Sequence, residues 1–219
     1  KTAILLGLTV LTASISWNFQ GPMMGLISGI GVAAAMISAI ATFGLWIFSW
    51  IIKPTPHRAP YTAPIYATGM GFAIGLISQQ FESLFPGIVI QAVSLTFFVA
   101  ASLLLLYKTG VIRPDQNFLL IMACATLGIF FTYIANIFYA MATGSSFSII
   151  TDTGLMGIGF SLFVVAIAAL NLVLDFDIIE QAAETRAPKY MEWFGAMALV
   201  MTLIWLYLEI LRLLAKLRS

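Results

Sequence analysis

The chain has 219 residues; 61% are hydrophobic and 9% are charged, where a soluble domain carries about 25% charged and roughly 45–50% apolar residues. Its mean hydropathy is +1.03, and ten Lys and Arg against nine Asp and Glu leave a net charge of +1 with no basic run. These values exclude a water-soluble globule, lend no support to nucleic-acid binding, and predict a polytopic membrane protein with the lipid bilayer as its first partner.

A helix crosses the hydrocarbon core with about 20 apolar residues. Seven charge-poor runs of that kind fill the chain, and their continuous apolarity predicts helices where barrel strands would alternate. The first is Thr2–Phe19, closed by Gln20-Gly21-Pro22. It has no small-residue cleavage site and reads as a span instead of a removable leader. Met23–Ile52 is the second, long enough to tilt or protrude. Ala63–Phe81, Pro86–Tyr107, Phe118–Ala142 and Thr153–Leu174 follow, and Trp193–Leu214 is the seventh, interrupted by Glu209 and Arg212. The expected fold is all-α: one seven-helix transmembrane domain over residues 1–219.

Loop charges predict the orientation. Lys53 and Arg58, Lys108 and Arg113, and Arg186 and Lys189 lie in alternate loops, while the other three loops carry no Lys or Arg. The N-terminus is therefore expected in the cytoplasm. The tail conflicts with this: seven crossings put Arg212, Lys216 and Arg218 on or near the outside. Gly25 with Gly29 and Gly71 with Gly75 are small-residue pairs that let helices approach closely, and bundle packing is their plain reading. Trp46, Trp50, Tyr107, Tyr190 and Trp193 stand where interfacial anchors are expected.

The polar inventory removes several chemistries. Cys124 is the lone cysteine, so an intrachain disulfide is excluded. His57 is the lone histidine, in a Pro-rich loop, which leaves no imidazole for a zinc site or an intramembrane Ser-His-Asp triad. No lysine stands mid-helix for a retinal Schiff base, and no Gly-Lys-Ser or Gly-Lys-Thr ends a phosphate loop. No enzymatic activity, cofactor or assigned metal site is expected. What remains is acidic. Asp175, Asp177 and Glu180 end the sixth run, Asn171 stands one turn before Asp175, and Glu209 stands beside Arg212 at i+3. Ionisable residues inside a membrane are costly and mark function. Two bland readings stand beside that one. Asp175, Asp177, Glu180 and Glu184 form a solvated helix end paired with Arg186 and Lys189, or Glu209 and Arg212 neutralise one another.

The segments Leu174-Asp175-Phe176-Asp177-Ile178-Ile179-Glu180, Ala187-Pro188-Lys189-Tyr190-Met191-Glu192-Trp193 and Trp205-Leu206-Tyr207-Leu208-Glu209-Ile210-Leu211-Arg212 resemble the Bax inhibitor-1 family of seven-helix membrane proteins, its bacterial branch best. Ala63-Pro64-Ile65-Tyr66 and Phe85-Pro86-Gly87-Ile88-Val89 agree with it. The resemblance implies a pH-sensitive calcium leak in a bacterial plasma membrane, with Ca²⁺ as the permeant ion. It implies that Asp175, or Asp177, shares a proton with Glu209 across the pore. Two carboxylates held close cannot both ionise cheaply and titrate as a unit; once deprotonated they separate and offer oxygen ligands to a hard cation. Arg58 and Arg212 are the candidate counter-charges. The chain departs from the family where Glu209 replaces an aspartate, where Met70 replaces an acid, and in a longer spacing between Asp175 and Glu209. With the turn centred near Arg186–Ala187, Asp175 is level with Ala198, roughly 16 Å along the helix from Glu209. The rival class is a non-conducting regulator or subunit that binds other membrane proteins. A pore predicts a polar lane through the bundle; a regulator predicts an apolar interior.

Overall fold

A computed structural model describes residues 1–18, 59–145 and 147–219. Among them are six long helices: α1 (Thr2–Asn18), α2 (Ala59–Leu84), α3 (Ile88–Lys108), α4 (Gln116–Thr143), α5 (Leu155–Glu184) and α6 (Tyr190–Arg218), with a single turn at Ser148–Thr151. The expected second segment, Met23–Ile52, lies outside the described residues, as do Gly25, Gly29, Trp46, Trp50, Lys53, His57 and Arg58. Among the described helices, four are long and apolar enough to cross a membrane: α3, α4, α5 and α6. The first and third expected segments fall short of that for different reasons. α1 has 17 residues, or about 25 Å at 1.5 Å per residue, against a hydrocarbon core of about 30 Å. α2 has the length, but its glycines, Pro64, Gln79, Gln80 and Glu82 dilute its apolar character.

The packing divides the chain into two compact units, Lys1–Pro86 with Ile179–Met201, and Gly87–Ile178 with Thr202–Ser219. In the first, α1 and α2 run parallel. Gly71 sits against Thr9 and Thr12, and Gly75 one turn later against Ala13 and Ser16. A Cβ on Gly71 would lie 2.5 Å from the Thr9 carbonyl oxygen, and one on Gly75 2.5 Å from that of Ala13. The expected small-residue pair is therefore engaged inside the chain, on a face of α1 that is itself small. The hydroxyls on that face donate back into their own helix, Thr9 to the Leu5 carbonyl at 2.7 Å, Thr12 to that of Leu8 at 2.9 Å and Ser16 to that of Ala13 at 2.9 Å. In the same unit Lys1 Nζ donates to Glu192 Oε2 at 2.7 Å and lies 5.4 Å from the Trp193 ring. The start of α1 and the start of α6 thus share an end.

In the second unit the helix ends are set by local chemistry. Gly110 (φ +73°) closes α3 by donating to the Tyr107 carbonyl while Val111 donates to Leu106, the paired bonds of a Schellman motif. Asp115 caps α4 by accepting from the Phe118 N–H at 2.7 Å. Met122 and Ile129 of α4 pack on Val164 and Ile167 of α5, with Phe118, Phe160, Leu174 and Trp205 around them. Tyr107 donates to Asp177 Oδ1 at 3.3 Å, which places the last turn of α3 beside α5 at that level. At the other end Arg218 Nη2 donates to Gln91 Oε1 at 2.7 Å, and Lys216 Nζ to the Gly157 carbonyl at 2.9 Å. The seventh expected segment therefore runs down α5 to α5's first turn.

α5 continues ten residues past the expected end at Leu174, so Asp175 through Glu184 are helical. It closes on a Schellman pair in which Ala187 donates to Ala182 and Arg186 to Ala183. Arg186 takes the left-handed conformation (φ +49°) that glycine usually supplies.

Candidate functional site

Three polar side chains of α6 in the second unit fall along one stripe. Thr202, Glu209 and Lys216 are spaced by seven residues, two turns of helix, and so share a face. Each meets a group on a neighbouring helix. Thr202 is within hydrogen-bonding reach of the Asp175 carboxyl, Glu209 accepts from Tyr133 of α4, and Lys216 reaches α5.

Asp175 is buried, 9% exposed, and its Oδ2 has no hydrogen-bond partner among the described residues. Glu180 and Glu184 are exposed and Asp177 is half-buried. The solvated-helix-end reading thus describes Glu180 and Glu184 but not Asp175. Asn171 donates to Thr126 Oγ1 of α4 at 3.0 Å and to the Ile167 carbonyl at 2.9 Å, so it bridges two helices one turn from Asp175.

Glu209 is 2% exposed. Arg212 Nη1 donates to both of its oxygens, at 2.9 and 2.7 Å, and the Tyr133 hydroxyl lies 2.9 and 3.1 Å from the same two oxygens. Trp205 Nε1 donates to Oε1 at 3.3 Å. Arg212 also donates to the Tyr133 oxygen at 2.6 Å, and its guanidinium carbon stands 5.2 Å from the centre of that ring. The neutralising pair expected from the i,i+3 spacing is formed, with Tyr133 as an unforeseen third member.

The two acids of the implied dyad therefore keep separate company. Asp175 is level with Thr202, where simple antiparallel geometry puts Ala198 opposite it. Glu209 lies seven residues beyond Thr202, or about 10 Å along the axis. The connecting residues, 185–189, are centred on Ala187 as expected, so the offset to Thr202 lies in how the two helices pack and not in the position of the turn. Of the two counter-charges, Arg212 pairs with Glu209, and Arg58 lies outside the described residues. Among the described residues no cluster of three or more His, Cys, Asp or Glu side chains forms a metal site.

Tyr107, Thr126, Tyr133, Thr202, Trp205 and Lys216 are the members that the candidate list left out. Thr126 stands out as a polar residue in an apolar run. Tyr133 had one available signal, a tyrosine in mid-helix away from the interfacial positions that tyrosines favour.

The model of the family described as Bax inhibitor 1 like matches residues 1–219, from the first to the last. The chain belongs to the Bax inhibitor 1 like family. No curated protein and no solved structure matches it. The acids of this multi-pass membrane protein stand on α5 and α6. In this Bax inhibitor 1 like chain the partners of those acids are a threonine for Asp175, and a tyrosine, a tryptophan and an arginine for Glu209.

Proposed function

We propose that the protein is a cation leak pathway with Ca²⁺ as the permeant ion, in which Asp175 is the gating carboxylate, Asp177 stands nearer the α5–α6 turn, and Glu209 lies deeper on the same route. The observation that carries this is Asp175 Oδ2, buried and without a hydrogen-bond partner among the described residues. A buried carboxylate oxygen in that state calls for a proton or a cation, and a carboxylate with neighbouring hydroxyl and amide oxygens suits a hard cation. Asn171, Thr126 and Thr202 supply such oxygens near the same level. The reading needs no enzymatic step and no resident cofactor. Ca²⁺ flux into proteoliposomes, measured from about pH 6 to 8 to bracket a carboxyl shifted by its surroundings, tests it. Flux should rise with pH as the carboxylate becomes a ligand. Asp175→Asn should flatten that dependence and lower flux toward the level of empty liposomes, with Asp177→Asn and Glu209→Gln run beside it. Folded protein with no flux above empty liposomes would instead favour the non-conducting regulator.

The N-terminus is proposed to face the cytoplasm of a bacterial plasma membrane. The basic loops support this, and so does the Lys1–Glu192 pair, which holds the N-terminus at the end of the first unit where Arg186 and Lys189 lie. The basic tail then loses its force as a counter-argument. Arg212 is paired with Glu209, Lys216 donates to a carbonyl and Arg218 to Gln91. With Cys124 replaced by alanine, a cysteine at Ser219 should react with a membrane-impermeant maleimide on intact cells, and one at Lys189 should not. The reverse pattern inverts the topology.

A further inference from the structure

We propose that Tyr133 is a clasp residue: its hydroxyl joins α4 to the Glu209–Arg212 pair of α6 and holds the path beyond Asp175 closed. The inference rests on the leak reading and adds the element that restrains it.

Glu209 and Arg212 are three residues apart on one helix, so their pairing joins α6 to nothing else. Trp205, the third donor, is on α6 as well. Tyr133 brings in α4. A phenol has one proton and two lone pairs. Here the proton serves the carboxylate, and a lone pair receives Arg212 Nη1 at 2.6 Å. Both bonds are charge-assisted, the stronger class of hydrogen bond, and the three groups close a ring in which each bond polarises the next. The ring also gives Arg212 a π face at 5.2 Å.

The position gives the clasp its role. An ion leaving Asp175 along the stripe of Thr202, Glu209 and Lys216 next reaches Glu209, about 10 Å on. Both carboxylate oxygens there are already bonded to Arg212 and Tyr133, so neither is presented to a cation, and a guanidinium repels one. Passage requires the Tyr133 bonds to open, which removes the polar link between α6 and α4 at this level.

Tyr133→Phe tests this, because it keeps the ring and its packing and removes the hydroxyl. In proteoliposomes at fixed pH it should raise Ca²⁺ leak severalfold, with a small fall in thermal unfolding temperature. Arg212→Gln should raise leak as well, and the double variant should leak no more than the leakier single one, since both open the same clasp. A lower unfolding temperature with leak per folded protein unchanged would reduce Tyr133 to a packing residue and overturn the proposal. So would effects of the two substitutions that multiply independently. Asp175→Asn in the same assay separates the two readings. Flux that responds to Asp175→Asn but not to Tyr133→Phe defeats the clasp and leaves the leak pathway standing. Flux that responds to Tyr133→Phe but not to Asp175→Asn defeats the assignment of Asp175 and leaves the clasp, and no flux in any variant defeats both.

Discussion

Arg212→Met should destabilise the second unit by about 3 kcal/mol, the low end of the range of about 3–5 for stripping one partner from a buried ion pair. The carboxylate left behind is 2% exposed and lies beside Trp205 and Tyr133. One feature holds the loss at the low end: Tyr133 and Trp205 continue to donate to Glu209 after the guanidinium is gone. The diagnostic comparison is Arg212→Met with Glu209→Leu. Removing both charges at once leaves no orphan, so the double variant should recover most of the loss. Thermal unfolding in detergent micelles, followed by far-ultraviolet circular dichroism, reads all three proteins. A double variant as unstable as Arg212→Met would mean that the pair's geometry, and not the unpaired carboxylate, sets the cost.

Gly75→Val should be the second large effect, and it should part α1 from α2. The new Cβ would meet the Ala13 carbonyl oxygen at 2.5 Å and the Ala13 Cα at 2.9 Å. Those are backbone atoms of a helix and cannot rotate aside, so the helices must separate. Overpacking of this kind costs about 1–3 kcal/mol, and valine's branches push toward the upper part of that range. Gly71→Ala meets Thr9 in the same way. The two substitutions should cost less together than their separate losses add up to, because a pair of helices already parted at Gly75 has room at Gly71. Gly7→Ala and Gly128→Ala are the controls. Among the described residues nothing lies within 4 Å of a Cβ at either position, and alanine in a helix is favoured over glycine by about 0.8–1 kcal/mol. These controls should unfold at the wild-type temperature or slightly above it. A Gly75→Val protein that unfolds with them would show that α1 does not rest on α2 in the membrane.

Much of this arrangement is legible in the residues alone. Long apolar runs mark α3 to α6 to within a few positions at most ends, because water-excluding length is a property of composition. The acids of α5 and α6 stand out for the same reason in reverse. The Glu209–Arg212 pair follows from three-residue spacing on a helix, which is local geometry. The register between α5 and α6 does not follow. The turn itself is centred on Ala187 as expected, so the facing position is decided by the packing of the two helices, which spacing along the chain does not show. Thr202 therefore faces Asp175 where Ala198 was expected. Tyr133 was hidden for another reason: in a run of phenylalanines, leucines and isoleucines its ring looks like packing, and its hydroxyl acquires meaning only when α6 places two charges beside it. α2 misled in the opposite sense. Its opening Ala63-Pro64-Ile65-Tyr66 and its glycines suit a buried helix, but the residues that let it approach α1 are also those that lower its apolarity.

The placement of both charges of the clasp on one helix bears on how the protein is made. A carboxylate and a guanidinium entering the bilayer on separate helices would each cross the insertion barrier alone, at about 2.5–3.5 kcal/mol apiece near mid-helix. Glu209 and Arg212 are three residues apart and can pair within α6 alone, without any group from another helix. The contact to α4 is then left to the neutral hydroxyl of Tyr133. The compensation of the buried carboxylate is thereby separable from the packing of α6 on α4.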